Sequence, residues 1–496
     1  MAAWLDDSVF YQIYPLGFCG CARENAPVDE ADALASATPA AAADAPAPIS
    51  KVADWADYLQ SLGIGAVLLN PVFESDTHGY DTRDLTRIDR RLGTNADFAD
   101  VCRALHDHGI RVVLDAVFNH VGRGFWAFRD VQARRWDSPY KDWFHLSFDG
   151  DSAYGDGFWY EGWEGHYELV KLNLQNPAVV DYLLDCVRGW ARDFDIDGLR
   201  LDVAYSLDHG FLRRLHDVAR ELKPGQGGLA LIGETLHGDY NQLVNDAMLD
   251  SCTNYECYKG LYSSFNSVNM FEIAHSLHRQ FGGDPWCIYQ GKHLLSFADN
   301  HDVTRLASIL TDPACVRPAY GVLFGMPGVP CLYYGSEWGT TGVKGAGDDW
   351  DLRPSFAAPE PNDLTAFIAR LVAARTGRRV PLAGAGADGV AGDAVGAPGD
   401  VAVPAAAGDP AALPRASRAL CHGGYRNVVI TNKQLLFERA ADGACVYVAV
   451  NAVAEPFRLQ AGELAGAFVD LLTGERAELD GGLDLAGYDV RYLLRV

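Results

Sequence analysis

Four segments decide the fold: RVVLDAVFNH (Arg111–His120), DGLRLDVAYS (Asp197–Ser206), LALIGETLHG (Leu229–Gly238) and LLSFADNHDVTR (Leu294–Arg305). Each carries an acid at the end of an apolar run: Asp115, Asp202, Glu234 and Asp302 in turn. A continuous apolar run reads as a strand buried on both faces, the habit of parallel sheets. Polar residues gathered at the C-terminal ends of successive parallel strands form the usual site layout of a (β/α)8 barrel.

The flanking sequence extends the pattern. SVFYQIYP (Ser8–Pro15), GAVLLNPVF (Gly65–Phe73) and VPCLYYG (Val329–Gly335) read as further strands. Helical spacing separates them, most clearly in PAVVDYLLDCVRGWARDF (Pro177–Phe194), which has Pro at its first turn. Alternating strands and helices predict an α/β TIM barrel. A doubly wound open sheet is the alternative; it would place a Gly-rich phosphate loop after the first strand, and the sequence has none there. Residues 121–176 are rich in Trp, Tyr, Gly and Asp, show no clean period, and exceed an ordinary βα loop. The expected organisation is a barrel over 1–120 and 177–380 and a short inserted domain after strand 3 over 121–176. A low-complexity linker over 381–417 and a C-terminal antiparallel β domain over 418–496 follow. The Ala- and Pro-rich stretch 26–50 reads as a mobile surface loop.

Charge narrows the function. Acidic residues number 66 against 41 basic, a net charge of −25. Phosphate recognition relies on positive surface, so nucleic acid and anionic membrane are not expected partners. The first residues lack the basic and apolar regions of a signal peptide, and no run approaches a membrane span. The 11 cysteines are scattered without zinc-type pairing, as reduced thiols in a cytoplasmic protein would be.

The acids suggest chemistry on a neutral, hydroxyl-rich substrate. Glycoside hydrolysis needs two carboxyl groups in different protonation states. Arg200 and Asp202 are two apart in a strand and share a face, so the arginine is expected to keep Asp202 ionised, as a nucleophile requires. Glu234 ends the apolar run LALIGE, whose walls are expected to keep it protonated as a general acid. Asp302 beside His301 offers a grip on adjacent hydroxyls, and His120 and Asn119 add donors at their strand end. Tyr80 in HGYD (His78–Asp81) and the aromatics Trp159 and Trp163 of GFWYEGWEGHY suit sugar faces, or for the two tryptophans equally the core of the insert. Metal hydrolysis would use HExxH, which is absent, or His-x-His, and the pair of that form, His106 and His108, lies in the helical run before Arg111 rather than at an acid-tipped strand end.

At these residues the chain resembles the α-amylase superfamily of retaining glycosidases, glycoside hydrolase family 13. DAVFNH, GLRLDVA, IGET and FADNHD resemble its four signature regions in order, and YQIYP, NPVF with HGYD, and GVPCLYYGSEWG its flanking segments. The resemblance implies Asp202 as nucleophile, Glu234 as acid/base and Asp302 as transition-state stabiliser. It implies Tyr80, Asp115, His120, Arg200 and His301 as sugar-binding neighbours. VKLN (Val170–Asn173) resembles the fifth region of cyclomaltodextrinases, neopullulanases and maltogenic amylases, a branch whose members usually carry an extra N-terminal β domain. The implied activity is cleavage of α-1,4 bonds, with α-1,6 bonds a second candidate, in maltooligosaccharides or cyclodextrins. Transglycosylation, an α-glucosidase specificity, or a catalytically silent carbohydrate-binding homologue are the alternatives. No cofactor is required by the resemblance; calcium is admitted, with Asn119 at one ligand position.

Overall fold

The computed structural model describes residues 2, 4–27, 46–345, 348–378 and 411–496. Eight parallel strands form its centre: β1 (Phe10–Ile13), β2 (Ala66–Leu69), β3 (Arg111–Ala116), β4 (Gly198–Leu201), β5 (Ala230–Gly233), β6 (Ser251–Cys252), β7 (Leu295–Phe297) and β8 (Val329–Tyr333). Their order is β6-β5-β4-β3-β2-β1-β8-β7. A parallel bridge from Thr253 to Leu295 joins the last pair, with the Asn254 N–H donating to the Leu295 carbonyl at 2.8 Å. The sheet is therefore a closed (β/α)8 barrel. The two-residue β6 is the strand that no apolar run announces.

Helices return the chain between strands and start where side chains can cap them. Thr94 and Asp97 form a capping box on the helix Asn95–Asp107. Asn176 caps Pro177–Phe194, which buries Leu183, Val187 and Trp190 and stops at Asp195 in a left-handed conformation. Asp208 caps His209–Glu221.

After β3 the chain builds the insert. Strands His120–Gly122, His166–Lys171 and Gly162–Trp163 form a small sheet. The aperiodic stretch also contains a helix, Trp126–Arg134, whose Ala127, Phe128 and Val131 are buried. At the other end of the chain, six antiparallel strands form one sheet in the order β9-β10-β11-β14-β12-β13. They are β9 (Gly424–Ile430), β10 (Gln434–Ala441), β11 (Ala444–Asn451), β12 (Phe457–Asp470), β13 (Arg476–Leu485) and β14 (Val490–Arg495). This domain sits against the barrel helix Val316–Gly325: the Tyr492 hydroxyl donates to the Gly321 carbonyl at 2.6 Å, and a Cβ on Gly321 would lie 2.6 Å from Val490.

The sequence expected a linker over 381–417. Residues 381–410 lie outside the described residues, as do 28–45 of the expected loop, but 412–417 belong to a helix, Ala412–His422. Ala412, Leu413, Ala416, Ala419 and Leu420 repeat at helical spacing and are buried, which is why the segment folds rather than links. The expected domain boundary at 418 falls inside it. All eleven cysteines are free thiols, and no helix of the described residues is long and apolar enough to cross a membrane.

Candidate active site

Strand parity builds the site. Phe10, Ala66, Leu68, Val113, Ile232, Leu295, Phe297, Val329 and Cys331 form an apolar cluster inside the barrel, while Tyr11, Val67, Leu114, Leu199 and Leu231 face the helices. Two residues further along the inward-facing rows come Gln12 after Phe10, Asp115 after Val113 and Glu234 after Ile232; Arg200 and Asp202 follow Gly198. The polar groups therefore stand on an apolar plug at the C-terminal rim. Register finishes the alignment, because Arg200 lies directly opposite Asp115 on the paired strand.

Arg200 is the hub. It is buried, and its Nη1 donates to Asp115 Oδ1 at 2.7 Å and to Asp202 Oδ1 at 2.9 Å, while Nη2 lies 2.8 Å from Glu234 Oε1. Asp115 is further held by Asn70 Nδ2 at 3.0 Å and by the Tyr80 hydroxyl at 3.0 Å. Glu234 Oε2 accepts from the Val203 N–H at 3.1 Å. Val203, a β-branched residue, holds a left-handed conformation with φ 40°, a strained turn that aims this N–H at the acid.

Asp302 stands apart. It accepts from His301 Nε2 at 2.9 Å and Arg353 Nη2 at 3.1 Å. Its side chain is 31% exposed, whereas Asp115, Asp202 and Glu234 are buried, so it marks the mouth of the site. Gln12 Nε2 lies 3.0 Å from His301 Nδ1; with the amide as donor, the ring proton sits on Nε2, toward Asp302. The rings of Tyr14 and Tyr80 lie nearly parallel to this imidazole, with centroids 6.2 and 5.7 Å away, and the Tyr80 hydroxyl contacts its Nε2.

Burial sets the protonation. It pushes the Asp202 carboxyl well above the usual range; Arg200 opposes, and the charges of Glu234, Asp115 and Asp302 add to the rise. This corrects the expectation that Arg200 keeps Asp202 ionised. One guanidinium serves three buried carboxyls, and Glu234 takes its share of it. For Asp302, burial also works against charge, but His301, Arg353 and Arg200 outweigh it and hold the carboxyl far below the usual range. Burial, with His78 adding, pushes His120 down to about 3, so the ring is neutral. Asn119 Nδ2 faces His120 Nδ1 at 3.1 Å, which leaves Nε2, 3.9 Å from Asp202 Oδ2, as a buried donor without a partner among the described residues.

The structure thus gathers Tyr80, Asp115, His120, Arg200, Asp202, Glu234, His301 and Asp302. The insert adds Trp163, whose ring centroid lies 5.7 Å from His120 and whose Nε1 is buried without a partner among the described residues. Trp159 is different: it is 39% exposed on the strand paired with Leu146–Ser147 and makes no aromatic ring contact among the described residues. Asn119 also has a buried Oδ1 without a partner among the described residues. Neither group of three His, Cys, Asp or Glu side chains that could share an ion among the described residues includes a neighbour of it in sequence. Sequence reasoning missed Gln12, Asn70, Arg353 and Tyr255, whose hydroxyl lies 3.5 Å from Glu234 Oε1. Gln12 and Asn70 had a signal, since each is a polar residue in or ending an apolar strand run. Arg353 had none.

A closed barrel carrying three acids and an arginine on its C-terminal rim, with a short insert after β3, defines a (β/α)8 protein of the carbohydrate-active kind. The family described as alpha amylase, catalytic domain, matches residues 12–382, and the chain belongs to it. It is 32% identical over 353 residues to the maltogenic α-amylase of Bacillus acidopullulyticus, covering 69% of this chain and 58% of that protein. It is 32% identical over 387 residues to a cyclomaltodextrinase of a Bacillus species, covering 75% and 66%. The chain thus spans less than two thirds of these relatives' length. Among solved structures, the cyclic α-maltosyl-(1→6)-maltose hydrolase of Arthrobacter globiformis superposes with a TM-score of 0.74 at 25% identity, covering 99% of this chain and 100% of that one.

Proposed function

We propose that this protein is a retaining α-glucan hydrolase that cleaves α-1,4 bonds, with α-1,6 bonds as a second target, in maltooligosaccharides or cyclodextrins. The observation that carries the reading is the joint grip of Arg200 on Asp115, Asp202 and Glu234. Asp202 attacks the anomeric carbon while Glu234 gives a proton to the leaving oxygen, forming a glycosyl ester on Asp202. Water, deprotonated by Glu234, then releases the sugar with retention. Burial pushes the Asp202 carboxyl up, which favours holding a proton in this acid cluster before the sugar arrives. A glycosidic oxygen seated at Glu234 draws the proton there and leaves Asp202 charged for attack. Asp302 and His301 hold neighbouring hydroxyls, and the open His120 Nε2 donates to another. Trp163 stacks on the ring beyond.

The relatives named cyclomaltodextrinase and maltogenic amylase, and the hydrolase of a cyclic tetrasaccharide, favour short or cyclic glucans. A relative named intracellular maltogenic amylase, from Bacillus subtilis, supports a cytoplasmic location. A product profile on maltotriose, β-cyclodextrin, pullulan and starch tests the reading. Glucose and maltose from maltotriose are expected. Longer oligosaccharides formed together with glucose or maltose, with no net gain of reducing ends, would make the protein a glucanotransferase.

A further inference from the structure

Three side chains from remote parts of the chain meet near the N-terminal ends of the strands, away from the acids. Asp6 precedes β1, His293 precedes β7, and His422 ends the helix Ala412–His422 that leads into β9. One carboxylate oxygen and one nitrogen from each ring all lie within 4.8 Å of one another. Asp6 Oδ2 is 3.7 Å from His293 Nε2, and the two imidazole centroids are 5.7 Å apart. The opposite atoms, Asp6 Oδ1 and His293 Nδ1, are buried without a partner among the described residues, so the hydrogen bonds in place do not account for burying these groups. His422 is held from outside, its Nε2 2.7 Å from Asp7 Oδ1. An imidazole tied to a carboxylate in this way has its tautomer and orientation fixed, as metal-ligating histidines usually do.

We propose that Asp6, His293 and His422 form a site for one divalent transition metal, Zn²⁺ foremost. Two imidazoles and a carboxylate are ordinary zinc ligands, and water would complete a tetrahedron. With bonds of about 2.0–2.2 Å the ligand atoms would draw in to roughly 3.4 Å of one another, a small contraction from the present spread. Asp6 and Asp7 supply charge to balance the ion. The nearby buried arginines turn their donors to backbone carbonyls, Arg375 to Phe324 and Met326, Arg439 to Gly325 and Gly423. A cavity of about 370 Å³ lined by His293, His422, Lys292 and Arg439 gives the ion a route in. The metal would tie the start of the barrel to the helix that carries the C-terminal domain, and would take no part in turnover.

The test uses the full chain, stripped with a chelator and dialysed against dilute Zn²⁺, with bound metal measured by plasma mass spectrometry. Wild type should hold one more Zn²⁺ per chain than His422→Gln, and His293→Gln should show the same loss. His422 is exposed, so its variant should keep the circular dichroism and sugar-cleaving activity of wild type. His278→Gln, in the separate group His278, Asp284 and Cys287, should not change this difference. Zn²⁺ should raise the melting temperature of wild type and not that of His422→Gln. Co²⁺ in its place should give the intense visible absorption of a four-coordinate site. Equal metal content in wild type and His422→Gln, or no retained metal in either, would overturn the proposal.

Discussion

Replacing Arg200 with Leu removes the one cation that Asp115, Asp202 and Glu234 share at 2.7, 2.9 and 2.8 Å. Breaking a buried ion pair by deleting one partner costs about 3–5 kcal/mol. Three pairs will not cost three times that, because the stranded carboxyls can take up protons instead. Their folded pKa values then lie above their unfolded ones. Stability of this origin is fully present below the unfolded value and is lost as pH rises through the folded one, so the deficit of Arg200→Leu must grow with pH. Each extra bound proton changes it by about 1.4 kcal/mol per pH unit. Urea midpoints at pH 6 and pH 8, followed by tryptophan fluorescence, should show a deficit of about 3–5 kcal/mol at pH 8 and a markedly smaller one at pH 6. Maltotriose turnover should fall at least about 100-fold, since nucleophile and acid lose their common brace. Arg200→Lys keeps charge without the planar fork and should fall between. An equal deficit at both pH values, or turnover within tenfold of wild type, would refute the reasoning.

Asp302→Asn should lower kcat by about 100- to 1,000-fold with the fold intact. Because His301 and Arg353 keep Asp302 ionised through the working range, the acid limb of the kcat/KM profile should survive in that variant. Trp163→Ala should raise KM for maltotriose about tenfold, the worth of one aromatic face, while Trp159→Ala should stay within about twofold. Glu337 is fully buried and its carboxyl is pushed up to about 7 by burial, against hydroxyl donors from Tyr11 at 2.6 Å and Tyr58 at 2.9 Å. Its protonated form therefore favours the fold below pH 4.5, and that advantage is lost as pH rises through 7. Glu337→Gln should match wild type near pH 4.5 and exceed it by up to about 3 kcal/mol at pH 8, read as a shift in urea midpoint.

The barrel was legible because a parallel strand buried on both faces must be apolar until it reaches the rim. That rule found β3, β4, β5 and β7 with their acids, and it could not find β6, where Ser251 and Cys252 carry no such run. The long pair β12 and β13 shows no clear run for a related reason: residues such as Ala461, Gly462, Ala465 and Gly466 in β12, and Gly481 and Gly482 in β13, blur the two-residue alternation that marks a half-buried strand. Within the site, Asp115, Arg200, Asp202, Glu234, His301 and Asp302 were named from sequence, while Gln12 and Asn70, also on rim-ending strands, were passed over. Arg353 could not be named, because it reaches Asp302 from a loop 51 residues on, and no local pattern encodes that meeting. The protonation of Asp202 was misjudged for the same kind of reason. Sequence shows that Arg200 neighbours Asp202, but only the folded barrel shows that Asp115 and Glu234 claim the same guanidinium.

The central claim is that Asp202 forms the bond to sugar. Reacting Glu234→Gln with α-maltosyl fluoride, whose leaving group needs no acid, and mapping the digested peptides by mass spectrometry tests it directly. The account predicts a maltosyl ester on the peptide that carries Asp202, at that residue. A chain that releases fluoride while Asp202 stays unmodified, or an ester on another acid, would contradict it.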